Sequence, residues 1–164
     1  MFYLDLFIAL DRHQVNYLVV GGLAMNLHGV PRMTMDIDLI LALDEANLDR
    51  FIACAEALHL HPVAPVSLAD LKDGQQRRTW SEQKHMIAFG LAPPASNAPL
   101  VDILIAPGID IEAAMGRAIL RHVGDTPVRI AAVEDLIALK AQANRKQDRD
   151  DIEHLERLRN HGPC

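Results

Sequence analysis

The chain has 164 residues, half of them apolar and 23% charged, enough for one domain with a real core and too few for two ordinary ones. A formal net charge of −6 argues against a protein that coats duplex DNA, since non-specific binding rests on neutralising phosphates with Lys and Arg; Arg77-Arg78 and the run Arg145, Lys146, Arg149 are the local basic patches. The opening MFYLDLFIALDRH lacks a basic start and carries Asp5, no run approaches a membrane span, and Cys54 and Cys164 make no disulfide framework, so a cytoplasmic protein with no membrane partner is expected.

In chain order, Leu4, Phe7, Ile8 and Leu10 recur at helical spacing and predict an amphipathic helix over 2–13 that covers one sheet face. Residues 17–20 read as a short apolar strand broken by Gly21-Gly22, then a short helix over 23–27, a turn marked by Gly29 and Pro31, and a second strand carrying Asp36 and Asp38. Alternation on that strand places Arg32, Thr34, Asp36 and Asp38 on one face and Ile37, Leu39 and Leu41 on the other. Asp44 caps a helix reaching Leu58, with Leu48, Phe51, Ile52, Ala55 and Leu58 as its buried stripe. Pro62 disfavours helix at His61. Ser67 caps a short helix through Leu71, and the polar segment 72–83 reads as an exposed excursion, where a substrate-contacting loop would sit. Strand character returns over 84–91, a Pro-rich loop fills 92–99, and 100–105 is an apolar strand containing Asp102. Gly108 closes it. Asp110 caps a helix to Ala118, a strand is expected over 126–130 and a helix over 133–143, and Asp148 caps a last helix with Ile152, Leu155 and Leu158 in line. The organisation expected is a single domain, 1–164, with a core over 17–131 and C-terminal helices over 133–160.

The chemistry begins with the two carboxylates of Asp36 and Asp38, about 6.5 to 7 Å apart along one strand face. Such a pair is unfavourable without a cation, and a hard divalent ion, which prefers carboxylate oxygen and bridges it to substrate phosphate, reverses the sign. A glycine pair lets backbone approach a phosphate, and a helix start beside it offers free N–H groups. Asp102 inside an apolar strand is costly unless paired or bound to metal. His59-x-His61 lacks the further ligands a zinc site requires, and neither a P-loop nor a GxGxxG fingerprint is present.

Gly21-Gly22 followed by Asp36-Ile37-Asp38 resembles the signature of nucleotidyltransferases of the DNA polymerase beta type. The wording around Gly22 to Gly29 and Arg32-x-Thr34-x-Asp36-Ile-Asp38-Leu39 is most similar to small bacterial members related to abortive-infection and toxin-antitoxin nucleotidyltransferases. Glu134 to Lys140 and Arg145-Lys146-x-Asp148-x-x-Asp151-Ile152 extend the likeness to about Leu155, apart from 59–83. It implies an α/β fold with a short mixed sheet and packed helices. It also implies transfer of a nucleoside monophosphate from an NTP to an acceptor hydroxyl, with two Mg²⁺ ions on Asp36, Asp38 and Asp102. Gly21 and Gly22, with Arg32, Thr34 and Lys140, would bind the nucleotide. Members of this kind modify transfer RNA ends, a tyrosine of a partner protein, or small molecules, so the acceptor expected is RNA or a partner protein. The competing reading is a non-catalytic nucleotide- or partner-binding module that retains the fold.

Overall fold

The computed structural model describes residues 2–32, 36–84, 87–95 and 97–161; Thr34, residues 85–86 of the expected strand and Cys164 lie outside the described residues. The first half of the chain forms α1 (Phe2–Arg12), β1 (Tyr17–Val20), α2 (Gly21–Leu27), β2 (Ile37–Leu41), α3 (Glu45–Ala57), β3 (His61–Pro62), a 3₁₀ turn (Leu68–Lys72) and α4 (Gly74–Glu82). The second half forms β4 (Ala88–Ala92), β5 (Val101–Leu104), α5 (Ile111–Gly116), β6 (Ile119–Val123), β7 (Thr126–Ile130), α6 (Val133–Ala143) and α7 (Lys146–His161). The seven strands make one mixed sheet in the order β3-β4-β5-β2-β1-β7-β6, parallel at the β2–β5 and β1–β7 contacts and antiparallel elsewhere. This is the short mixed sheet with helices that the sequence predicts.

The order follows from burial. Every residue of β1 is buried, the continuous apolar run of a central strand, whereas β3 is two residues long and carries Pro62, which an edge tolerates. One row of paired residues crosses four strands: Val20 faces Asp38, Asp38 faces Asp102, and Asp102 faces Gly90. Buried Asn47 on α3 locks the far end of β1 and β2, accepting from Asn16 N–H (2.7 Å) and donating to the Asn16 and Ala42 carbonyls (3.0 and 2.8 Å).

Several local expectations are corrected. The apolar face of α1 is Leu6, Phe7 and Leu10, rotated from the expected stripe so that Leu6 takes the place of Leu4. Residues 72–83 are not an exposed loop. Asp73 caps α4 through the Gln75 and Gln76 N–H groups, and Trp80, 1% exposed, packs on Phe89 with ring centroids 5.4 Å apart. Its neighbour Arg77 donates to the Leu71 carbonyl. A single aromatic anchor in a polar window leaves no periodic stripe, which is why the helix was hidden. Likewise β6 pairs with β7 through Gly124, whose φ of +63° suits a tight hairpin. The last helix starts at Lys146, and Asp148 works from inside its first turn, accepting from the Arg145 N–H at 3.1 Å as the returning half of a capping box does.

Because Trp80 is the only tryptophan, its emission reports this satellite of the core directly. Phe89→Ala is expected to destabilise the fold by about 3 to 5 kcal/mol, seen as a lower urea midpoint with an unchanged slope. An unchanged midpoint would mean that α4 does not anchor on the sheet.

Candidate active site

The row Val20–Asp38–Asp102–Gly90 ends on a cleft of about 580 Å³ lined by residues of β1, β2, β5, α6 and the start of α2, with Arg32 and Asp36 from the approach to β2. Two glycines make room for the carboxylates. A Cβ on Gly21, whose φ is +69°, would fall 2.1 Å from the Asp38 Oδ2, and one on Gly90 would fall 3.2 Å from the Asp102 Oδ1. Gly21 and Gly22 form the first turn of α2 itself; the helix begins two residues earlier than the sequence suggests because Gly21 supplies the left-handed turn directly after β1.

Electrostatics bind the acidic groups into one unit. Burial, reinforced by the charges of Asp102 and Asp36, pushes the Asp38 carboxyl up to about 6, with Lys140 and Arg145 partly offsetting the rise. Asp102 is raised by burial and by Asp36. Among the described residues no group of three or more His, Cys, Asp or Glu side chains is gathered as it would be around a bound ion. The donor set is nevertheless all carboxylate oxygen facing one cleft, Asp38 and Asp102 on two adjacent strands and Asp36, expected on the strand, one residue before β2 begins, and this is the chemistry that suits Mg²⁺.

Opposite the carboxylates stands the α6–α7 hairpin, turned by Asn144 in the left-handed conformation at φ +48°. Lys140 Nζ lies 2.9 Å from Asp151 Oδ2 and 3.6 Å from Asp148 Oδ1. Arg32 Nη1 reaches Asp151 Oδ1 at 2.9 Å, and Arg145 Nε reaches Asp148 Oδ2 at 2.7 Å. In the amide orientation that its neighbours require, Gln147 also accepts from both terminal nitrogens of Arg32. Burial opposes the charge of Asp148, yet the Arg145 bonds hold its carboxyl below the usual range. The network therefore ties the segment entering β2 to both C-terminal helices.

Among the predicted site residues, the cleft brings together Gly21, Gly22, Arg32, Asp36, Asp38, Asp102 and Lys140; Thr34 is outside the described residues. Arg32 is not on a strand, since β2 begins at Ile37, and it is engaged with α7 rather than displayed beside Asp38. Lys146 and Arg149 are exposed, as a solvated helix end should be, but Asp148 and Asp151 are buried. The sequence reading missed their role and that of Gly90. An isolated glycine within a strand was the available signal for the latter, and acidic residues three apart on one helix face for the former. His28 is spoken for structurally: its Nε2 bonds the Ala131 carbonyl at 2.8 Å.

A protein-family comparison matches residues 5–158 to the family described as nucleotidyl transferase AbiEii toxin, type IV TA system. The chain belongs to the AbiEii nucleotidyltransferase family. Solved structures agree on the fold. The crystal structure of ANT(2'')-Ia in complex with adenylyl-2''-tobramycin aligns with a TM-score of 0.61 at 17% identity, over 98% of this chain and 88% of that one. An antigenic nucleotidyltransferase-like protein from Paracoccidioides brasiliensis aligns at 0.57 with 20% identity, over 95% and 75%. No curated protein matches. This AbiEii-family member is thus an enzyme of the nucleotidyltransferase class, and among its described residues no helix is long and apolar enough to cross a membrane.

Two predictions test the electrostatics. The Asp38 carboxyl ionises near 3.8 when unfolded and near 6 when folded, so the unfolded state binds fewer protons between those values. Metal-free stability therefore falls as pH rises through that window and stays low above it. Asp38→Asn removes the penalty, on the order of 3 kcal/mol at most. It should raise the melting temperature by several degrees at pH 8 and leave it nearly unchanged at pH 4. Asp151→Ala should act in the opposite sense, lowering stability by about 3 to 5 kcal/mol because Arg32 and Lys140 lose their shared partner. Equal melting of the Asp151→Ala and wild-type proteins would show that the network is dispensable.

Proposed function

We propose that this enzyme transfers a nucleoside monophosphate from an NTP to an acceptor hydroxyl with release of pyrophosphate, using Asp36, Asp38 and Asp102 as its metal-binding carboxylates. The observation that carries the reading is the direct pairing of Asp38 with Asp102 on adjacent parallel strands beside Gly21, at one end of a cleft whose other wall supplies Lys140 and Arg145. A structural role explains none of these features, since burying and aligning like charges destabilises the fold.

The division of labour follows the strand order. On the β1 side, the first turn of α2 offers backbone N–H groups without side chains to obstruct them, and Lys140, with Arg145 near it and Arg32 on the same network, meets the triphosphate. On the β4 side, Asp102 faces Gly90, whose lack of a side chain makes room for the Asp102 carboxylate, and the acceptor hydroxyl approaches from this side. Asp102, its affinity for protons raised by burial, accepts the hydroxyl proton as the acceptor oxygen bonds to the α-phosphorus and the bond to the β-phosphate oxygen breaks. Two Mg²⁺ ions, when bound, neutralise phosphate charge and steady the attacking and leaving oxygens. Residues 1–164 act here as a single catalytic unit, in the cytoplasm, with an RNA end or a partner-protein side chain as acceptor. The AbiEii resemblance supports a toxin-antitoxin or phage-defence setting.

Asp102→Asn should reduce transfer of label from α-³²P-NTP to acceptors in a cell extract by at least a thousandfold while leaving the melting profile cooperative. Full labelling by that variant removes Asp102 from the mechanism.

A further inference from the structure

Exposed apolar side chains gather on one side of the cleft carboxylates. Among the described residues the two most exposed large apolar side chains are Ile87, 80% exposed, and Val63, 61% exposed. The sheet holds the backbone of both in place. The Val63 N–H donates to the Gly90 carbonyl at 3.0 Å, and the Ile105 N–H donates to the Ile87 carbonyl at 3.2 Å. Val63 Cγ2 lies 3.6 Å, and Asp102 Oδ1 3.2 Å, from the point that a Cβ on Gly90 would occupy, so Val63 and the carboxylate flank the same small space. Ile87 lines the cleft itself, and Ala88, Leu104, Ala106 and Pro107 continue its wall. Apart from Asp102, the described part of the wall built from β4, β5 and the residues next to them carries no polar side chain.

Charge separates the two kinds of acceptor. An RNA end brings a phosphate with every nucleotide, and affinity for such a chain rests on Lys and Arg placed along its path. This wall offers none. Arg32, Lys140 and Arg145 stand elsewhere in the cleft, where the triphosphate requires them, and the chain as a whole carries a formal charge of −6, which gives no long-range pull on RNA. A polypeptide side chain, in contrast, carries a hydroxyl with no phosphate beside it. Apolar neighbours of that hydroxyl would cover Val63 and Ile87 from water.

We propose that the acceptor of this enzyme is the side-chain hydroxyl of a polypeptide, flanked there by apolar residues that dock on Val63 and Ile87. The inference rests on nucleotidyl transfer in this cleft. In the reaction the side-chain oxygen bonds to the α-phosphorus, its proton passes to Asp102 and pyrophosphate leaves. The product is a protein that bears a nucleoside monophosphate through a phosphodiester bond.

The test is incubation of the full chain with α-³²P-labelled NTPs, Mg²⁺ and a cell extract, followed by digestion of the products with protease or with ribonuclease. Label should run with protein bands other than the enzyme, resist ribonuclease and be lost to protease. Val63→Lys and Ile87→Lys should each lower protein labelling by about tenfold, the loss expected when a Val or Ile side chain no longer gains an apolar cover. Both residues are exposed, so both variants should keep the wild-type melting temperature and the Mg²⁺-dependent NTP affinity measured by calorimetric titration. Label that ribonuclease removes and protease does not overturns the polypeptide acceptor and leaves nucleotidyl transfer standing. Protein labelling that both variants retain in full overturns the docking surface. If the wild type labels nothing, the transfer reading falls and this inference falls with it.

Discussion

Asp38 occupies a position that would be forbidden in an ordinary core. Its carboxylate lies where a methyl group on Gly21 would have to be, beside a second carboxylate on the next strand, and burial with its neighbours' charges raises it to about 6. Holding such a group requires rigid surroundings, which the sheet supplies: β2 is hydrogen-bonded on both sides, and Ile37, Leu39, Ile40 and Leu41 are at most 1% exposed. Strain of this kind is concentrated where charge must be presented to a ligand, while the apolar face of the same strand stabilises the fold.

Cations answer that charge from a different part of the chain. Lys140 and Arg145 soften the rise at Asp38, but they are themselves held by the buried carboxylates of Asp148 and Asp151. A free lysine would swing toward the acidic cluster and collapse on it. Fixed by two carboxylates, Lys140 lines the cleft while its ammonium stays paired with Asp148 and Asp151. Arg32 joins the same network, so the segment leading into β2 and the hairpin on the far wall are mechanically linked. The buried ion pairs are better understood as fixing this geometry than as a source of net stability, since desolvation consumes much of their attraction.

What could be read from residues alone divides along a physical line. Short-range signals were sufficient for β1, α6, the acidic strand and the isolated Asp102, because a period, a cap or a charge out of place is visible locally. The Asp38–Asp102 register, by contrast, depends on a strand order set by burial across the whole sheet, and only the family likeness pointed to it beforehand. Gly90 looked like any strand glycine until Asp102 was found opposite it. The burial of Asp148 and Asp151 was not legible because sequence charge says nothing of depth, and α4 looked like a loop because its stability comes from one tryptophan seated on Phe89. Arg32 illustrates the reverse error. Alternation was extended past the end of β2, which placed it on a face the chain does not have there.

Strand order also gives the proposed reaction a direction. Reading across from β1 to β4, the glycine turn, Asp38, Asp102 and Gly90 succeed one another, so a triphosphate anchored by α2 and Lys140 lies on one flank of the carboxylates. An acceptor must then approach from the other flank, over Gly90 and past Val63, which is 61% exposed and touches the space a Gly90 side chain would fill. The cations that line the cleft, Arg32, Lys140 and Arg145, come from the segment before β2 and from the α6–α7 hairpin, none of them from β4 or β5. On the proposed reaction, residues on the Gly90 side such as Val63 can therefore vary without disturbing the cations on the other wall of the cleft.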